Sequence, residues 1–301
     1  IRAGSPYLRM YARGELAGDA IEVSQNIKPR GIEIDQLTST FISEGEGSLS
    51  FEFQPEIFNS PPQVECILYQ DLNGILYQVM EDMYYYPYGC TEQTSSRMIS
   101  LLSLPLPENE EWTKGVPRQI QEGIYQLYSL QHYDGGWGWW DYDDSNVFNT
   151  SHALLALITA REKGYPVSDG TIQRAQQYLL NEENNSLPWE KALSYFVLTQ
   201  TGEKIPDLNL VDIDKTVKKM DEKELAWLSL ITEGETHQKL QNELVKRAQP
   251  VGDAVFYGHS NPQKPWEDDR FLATCWAILA LSQENKVVAG QAFLWVLRTL
   301  Q

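Results

Sequence analysis

Apolar and polar residues alternate with a period of two through roughly the first seventy positions, then change to the three-to-four spacing of amphipathic helices. The alternating part holds I-E-V at Ile21–Val23, I-E-I at Ile32–Ile34, L-T-S-T-F-I at Leu37–Ile42 and S-L-S-F-E-F at Ser48–Phe53, with Gly and Pro between them. These predict short β-strands. So few strands leave open edges and half a core, so the segment is expected to complete its sheet with strands outside this chain. The helical period predicts helices over 91–103, 117–131, 149–163, 169–182, 188–201, 221–233, 236–248, 269–283 and 288–300. T-S-H-A-L-L-A-L at Thr150–Leu157 is echoed by T-C-W-A-I-L-A-L at Thr274–Leu281, and more weakly at Leu193–Leu198 and Leu225–Leu230. Repeated apolar helices of this kind predict stacked hairpins, each burying its face on the next. The expected fold is mainly α, an α/α toroid preceded by a small β-sandwich segment. The last helix is expected to run to Gln301 without a stop signal, so that the chain ends inside the fold.

Composition narrows the function classes. An apolar share of 42% over 301 residues is that of a globular protein. A formal net charge of −18 argues against nucleic acid or an anionic membrane as partner, because phosphate neutralisation needs clustered Lys and Arg. No apolar run reaches the length of a membrane span, and the first ten residues lack the apolar core of a signal peptide. Cys66, Cys90 and Cys275 are the three cysteines. Cys66 in V-E-C-I-L and Cys275 in A-T-C-W-A-I-L sit in apolar settings and are expected in the core, a bridge between them being the alternative. No ligand cluster for a metal emerges, and nothing in the sequence asks for a cofactor.

The chemistry concentrates in Pro87–Arg97, P-Y-G-C-T-E-Q-T-S-S-R. Cys90 and Gln93 are three apart, so at a helix start they share one face and the thiol can approach the side-chain amide carbon. Attack there with loss of ammonia gives an internal thioester, a stored acylating agent. A helix N-terminus favours a thiolate. Gly89 permits a turn or a close backbone approach. Glu92 points away from the ring and favours the helix start, and Arg97 reads as a solvated surface charge or a partner for Glu92. Met98, Ile99, Leu101 and Leu102 form an apolar stripe, and Pro105 and Pro107 stop the helix. By spacing alone, a small buried cysteine and a solvated glutamine are the ordinary outcome of such a pair.

The longer string Y-P-Y-G-C-T-E-Q-T-S-S-R, Tyr86–Arg97, closely resembles the thioester signature of the alpha-2-macroglobulin and complement superfamily, above all its bacterial members. That resemblance implies a thioester between Cys90 and Gln93. It implies a partial CUB-like β segment over 1–72 and a thioester domain, an α/α toroid truncated at its C-terminal end, over 73–301. It further implies a single-use protease trap rather than an enzyme with turnover. Target proteases would be captured through lysine amines, with other domains of the parent protein as partners. The location implied is periplasmic, cell-envelope or extracellular, with lipid anchoring through the parent.

A stored thioester needs an apolar cover against water. The resemblance points to Tyr86, four residues before the cysteine, as the lock, with Tyr88 beside it. Trp137 and Trp139, in D-G-G-W-G-W-W with Trp140, are further candidates for the shield, although core and loop packing accounts for such residues equally well. Of the four histidines, His132, His152, His237 and His259, none falls at the position of the family's transfer histidine, and His132 in Q-H-Y-D-G-G-W is the nearest candidate for it. His132 reads as a loop residue packed on aromatics and His152 as structural, which favours direct reaction with amines. A rival reading is a terpene-cyclase-like α/α barrel, since Gln131–Trp137 fits Q-x-x-x-G-x-W and Asp141–Asp144 fits D-x-D-D, where one carboxyl with a raised pKa would protonate an alkene. That chemistry needs several such repeats, and only one is present. A toroid that binds partners non-covalently is a third reading. Calcium binding by D-Y-D-D-S-N fails, because its sixth position is Asn146 and its twelfth His152.

Overall fold

The computed structural model describes residues 7–15, 17–24, 66, 72–87, 89–107, 110–203, 213–261 and 263–299. The chain divides into two compact units, Ile1–Leu68 with Gln301, and Tyr69–Leu300.

In the first unit, β1 (Tyr7–Arg13) and β2 (Gly18–Ser24) form an antiparallel hairpin in the register Tyr7↔Ser24 to Arg13↔Gly18. Directly opposed Arg9 and Glu22 are paired across it, and the turn closes with Gly14 N–H on the Ala17 carbonyl at 2.7 Å. Every strand residue is exposed. The strand expected at Ile21–Val23 lies inside β2, whereas β1 was not anticipated; the expected strands at 32–34, 37–42 and 48–53 lie outside the described residues. Cys66 is exposed rather than in a core, and neither it nor the half-buried Cys275 is in a disulfide.

The second unit is helical. Its elements are α1 (Leu72–Tyr85), α2 (Thr91–Ser103), α3 (Val116–Leu130), α4 (Val147–Glu162), α5 (Asp169–Asn181), α6 (Pro188–Gln200), α7 (Ile213–Thr216), α8 (Glu222–Ile231), α9 (Gly234–Lys246), α10 (Arg270–Leu281) and α11 (Lys286–Thr299). Every helix expected from the periodicity is present, with ends moved by one or two residues, while α1 and the single turn of α7 were not anticipated. A two-stranded hairpin, β3 (Gln249–Val251) with β4 (Ala254–Phe256), precedes α10.

Alternate helices form a row in which α2 packs on α4, α4 on α6, α6 on α8 and α8 on α10. Flanking helices cover it: α3 lies on α2 and α4, α5 on α4, α9 on α8, and α11 on α10. The row explains why α4 has no polar face to speak of. Ala153, Leu154, Ala156, Leu157 and Ala160 are all fully buried, as expected of a helix with neighbours all round. Its alanines let backbones approach while the leucines fill the gaps between layers.

The sequence echo between the starts of α4 and α10 has a structural counterpart. Before α4, the backbone N–H of Trp137 donates to Thr150 Oγ1 at 3.0 Å. Before α10, the backbone N–H of Tyr257 donates to Thr274 Oγ1 at 2.9 Å. All four residues are fully buried. A glutamine spans each loop: Gln131 Nε2 donates to the carbonyls of Gly135 at 3.0 Å and Thr171 at 3.1 Å, and Gln249 Nε2 donates to the carbonyl of Gly258 at 2.7 Å. Each loop thus reaches the core through one buried aromatic and one helix threonine. Gly135 has φ +93°, and a Cβ there would stand 2.5 Å from the Arg174 carbonyl oxygen, so the first loop demands glycine at that point.

Candidate functional site

The segment leading into α2 is clamped from the side by α3. Gln119 Nε2 donates to the Tyr84 carbonyl at 2.8 Å, and Gln126 Nε2 donates to the Gly89 carbonyl. These glutamines are two helical turns apart and so lie on one face. The approach of Gln126 also explains Gly89, where a Cβ would come within 2.5 Å of Gln126 Nε2. The close approach expected of that glycine is therefore made by a side chain of another helix. Tyr84 packs on the buried Trp112 at 5.7 Å between ring centres, which anchors the end of α1.

Cys90 is the N-cap of α2, extended at φ −68° and ψ 172°. Gln93 N–H donates to Cys90 Sγ at 3.5 Å, and Cys90 N–H donates to Gln93 Oε1 at 3.3 Å. This is a reciprocal capping box with sulfur in the place of the usual hydroxyl and glutamine at the third helical position. The spacing that suits a thioester is thus also the spacing of a helix cap, and the cap folds the two side chains toward each other. The cysteine is almost fully buried, at 5% exposure, and the Gln93 N–H of the first turn faces its sulfur with its partial positive charge.

The Gln93 amide is held at both ends. Its oxygen takes the Cys90 N–H, and its nitrogen donates to the Tyr86 hydroxyl at 3.3 Å. Tyr86 is held in turn by α2, because Arg97 Nη1 donates to its carbonyl at 3.2 Å. Arg97 is therefore neither a free surface charge nor the partner of Glu92. Burial pushes its guanidinium below the ordinary value, with Glu122 opposing the shift. Glu92 instead accepts from Ser96 Oγ at 2.8 Å. Tyr88 lies outside the described residues.

The tryptophan loop reaches the motif through its backbone. Thr91 N–H, a first-turn donor of α2, is taken by the Trp139 carbonyl at 3.0 Å. The Trp139 ring stands 6.0 Å from Phe148 of α4 and is 45% exposed. Trp137 is a core residue, fully buried with its indole N–H on the Leu127 carbonyl at 2.7 Å. The loop is braced below by His132, whose Nε2 lies 3.1 Å from the Trp140 carbonyl and whose Nδ1 lies 2.8 Å from Ser145 Oγ. Ser145 Oγ donates onward to Asp134 at 2.9 Å. The histidine expected to pack on aromatics is thus a polar brace.

Asp141 and Asp144 are exposed, and Asp143 Oδ2 takes the Trp140 N–H at 3.2 Å. With Gln131 and Trp137 given to the loop anchor, the cyclase-like motifs find structural uses. The carboxylates of Asp141 and Asp144 lie open to water and that of Asp143 is used by the Trp140 N–H, so the alkene-protonating role has no support in the geometry. Among the described residues no group of His, Cys, Asp and Glu could hold a metal ion, and no helix is long and apolar enough to cross a membrane.

His152 faces the motif from α4. It packs on Phe148 at 4.2 Å between ring centres and its Nδ1 lies 2.9 Å from the Phe148 carbonyl. Burial lowers its pKa from 6.5, opposed by that carbonyl and by the charge of Glu92. A depressed histidine pKa means that the unfolded chain binds the proton more readily. Stability is then fully present above the unfolded value and falls as pH drops toward the folded one. Urea unfolding of the helical unit is expected to show a smaller loss from pH 7 to pH 5 in His152→Gln than in the parent. Equal losses would remove His152 as a source of acid sensitivity.

No family model matches the chain. It is 37% identical over 94 residues to alpha-2-macroglobulin of Thermotoga maritima, a match of 31% of this chain and 6% of that protein. It is 23% identical over 189 residues to alpha-2-macroglobulin of Rickettsia conorii, or 59% of this chain and 10% of that protein. Its fold matches Salmonella alpha-2-macroglobulin reacted with methylamine at a TM-score of 0.55 and 16% identity, over 73% of this chain and 16% of that one. It also matches Escherichia coli alpha-2-macroglobulin activated by porcine elastase at a TM-score of 0.52 and 18% identity, over 73% of this chain and 22% of that one. The chain therefore spans only a small part of the length of the curated relatives it matches. On sequence and fold together, the chain is similar to a part of the bacterial alpha-2-macroglobulins.

Proposed function

We propose that Cys90 and Gln93 condense to an internal thioester and that the chain is the thioester-bearing part of a protease trap. The observation that carries this reading is the capping box of α2, which folds the thiol and the carboxamide toward each other at a helix N-terminus in a chain similar to these macroglobulins. Residues 73–301 then constitute a thioester domain of α/α toroid type, whose row of alternate helices suits that architecture. Residues 1–72 contribute a CUB-like β piece. The bond would be covered by Tyr86 on the amide nitrogen and by Trp139 beside the first turn, with Tyr88 in the same segment.

In operation, a lysine amine of the attacking protease adds to the Gln93 acyl carbon and the Cys90 thiolate leaves. An amide then joins target to trap, and the site is consumed after one reaction. That the elastase-activated Escherichia coli protein shares this fold supports proteases as targets. The four histidines leave direct aminolysis as the simpler route, since His132 is occupied in bracing its loop and His152 is bound to a backbone carbonyl. A periplasmic or envelope location, with anchoring through the parent protein, follows from the same reading.

The test is intact mass with and without methylamine. Protein from its native compartment should be lighter than its sequence by one ammonia and lack a free Cys90 thiol. Methylamine should then add at Gln93 and release that thiol. Full sequence mass together with no methylamine uptake would end the thioester reading.

A further inference from the structure

The two hydrogen bonds on the Gln93 side-chain amide are arranged for making the bond as well as covering it. Resting on the thioester reading above, we infer that Tyr86 is a catalytic residue of thioester formation, giving the proton with which ammonia leaves, while the Cys90 N–H holds the developing oxyanion.

The reason lies in what condensation requires. A primary amide resists attack because its nitrogen lone pair is delocalised and its amide anion is too poor a leaving group to depart unprotonated. The thiol loses its proton to solvent and Sγ adds to Cδ of Gln93. Charge then collects on Oε1, where the Cys90 N–H already points at 3.3 Å. A backbone N–H aimed at an oxygen that becomes negative is the usual device for stabilising such an intermediate.

At the same moment the nitrogen becomes pyramidal and its lone pair is localised. The contact between Gln93 Nε2 and the Tyr86 hydroxyl, 3.3 Å with nitrogen as donor before attack, reverses its sense. The phenol O–H then donates to nitrogen, the C–N bond breaks and neutral ammonia departs. The phenolate regains a proton from solvent. Overall a thiol and a carboxamide give a thioester and ammonia, with no net gain or loss of protons.

The supporting geometry is specific to this role. Arg97 fixes the Tyr86 backbone from the helix that carries Gln93, at 3.2 Å, so the phenol and the amide keep their distance as α2 moves. A residue needed only as an apolar lid would not require its hydroxyl on the amide nitrogen, since a phenylalanine ring excludes water equally well.

Two substitutions in the full chain test this. In Tyr86→Phe, peptide mass distinguishes three states of position 93: amide with a free Cys90 thiol, thioester, and the carboxylate left when a formed thioester hydrolyses. The acid role predicts that the amide persists, with ammonia loss slowed by about a hundredfold, the scale of general acid catalysis. Conversion to thioester or carboxylate at the parental rate would overturn it, leaving Tyr86 a cover only. Should the parent itself retain its amide and free thiol, the thioester reading fails and this inference with it. Because misfolding of Tyr86→Phe would also leave the amide in place, the second variant carries 3-fluorotyrosine at position 86, which preserves shape while raising acidity. A shifted pH profile for ammonia loss supports proton donation, and an unchanged profile rejects it.

Discussion

Cys90→Ser is expected to abolish labelling of Gln93 by methylamine while leaving the fold in place. The two effects separate because the side chain has two duties. As N-cap, position 90 accepts the Gln93 backbone N–H, and serine is among the best residues for that purpose. As the nucleophile of the proposed thioester it would have to attack a carboxamide and later leave as a good anion, and a serine hydroxyl does neither well. Urea unfolding should therefore place Cys90→Ser within about 1 kcal/mol of the parent, and Cys90→Ala lower by about 1 kcal/mol for the missing cap. Methylamine incorporation at Gln93 in the serine variant, read by peptide mass, would show that the thiol is not the activating group.

Trp137→Ala should be the most destabilising single change in the loop that meets α2, at about 3–5 kcal/mol. The ring is wholly buried, its N–H is bonded to Leu127 at 2.7 Å, and its backbone N–H is held by Thr150. Truncation leaves a cavity between α3 and α4 and an unpaired carbonyl at the end of α3. Tyr133→Ala in the same loop, where the side chain is fully exposed, should fall within about 0.5 kcal/mol of the parent. A Trp137→Ala cost below about 1 kcal/mol would mean that the loop anchor can repack, against the rigidity expected of a filled core. Because Trp139 follows two residues later, the same variant should also make the proposed thioester more prone to hydrolysis.

Much of the helical unit was legible because its helices carry long apolar stripes between clear breakers. The segment 91–103 and the helix α2 coincide, and the Thr150 and Thr274 repeats proved to be equivalent anchors. Most of what escaped gave a weak or mixed local signal. In α1 the apolar residues Leu72, Ile75, Leu76, Val79, Met80 and Met83 do recur at helical spacing, but Met80 alone is buried among the side chains described, and its Tyr84–Tyr85 end reads as an aromatic loop. The strands β3 and β4 are three residues each, too short for alternation to register. Cys66 sits among apolar neighbours yet is exposed, which shows how little a five-residue context says about burial.

At the site, the meeting of Cys90 and Gln93 side chains followed from spacing, and the role proposed for Tyr86 rests on resemblance. The clamps did not follow from either. Gln119 and Gln126 are ordinary polar residues on an amphipathic helix, and nothing local ties them to carbonyls at Tyr84 and Gly89 some 35 and 37 residues earlier. Arg97 illustrates the same limit. One turn past Gln93 it looks like a surface charge, but the chain preceding the helix folds back beneath it.

The two sides of the motif differ in how they are fastened. Tyr86 is tethered to α2 itself by Arg97, so it travels with the amide it touches whenever that helix shifts. Trp139 belongs to a loop whose own supports are α4 and the His132 brace, and its described link to α2 is the Thr91 hydrogen bond. Relative motion of α2 and α4 would therefore open a gap on the tryptophan side while the tyrosine side stayed closed. If the proposed thioester is formed, the direction from which a nucleophile would arrive is already written into which helix owns which aromatic residue.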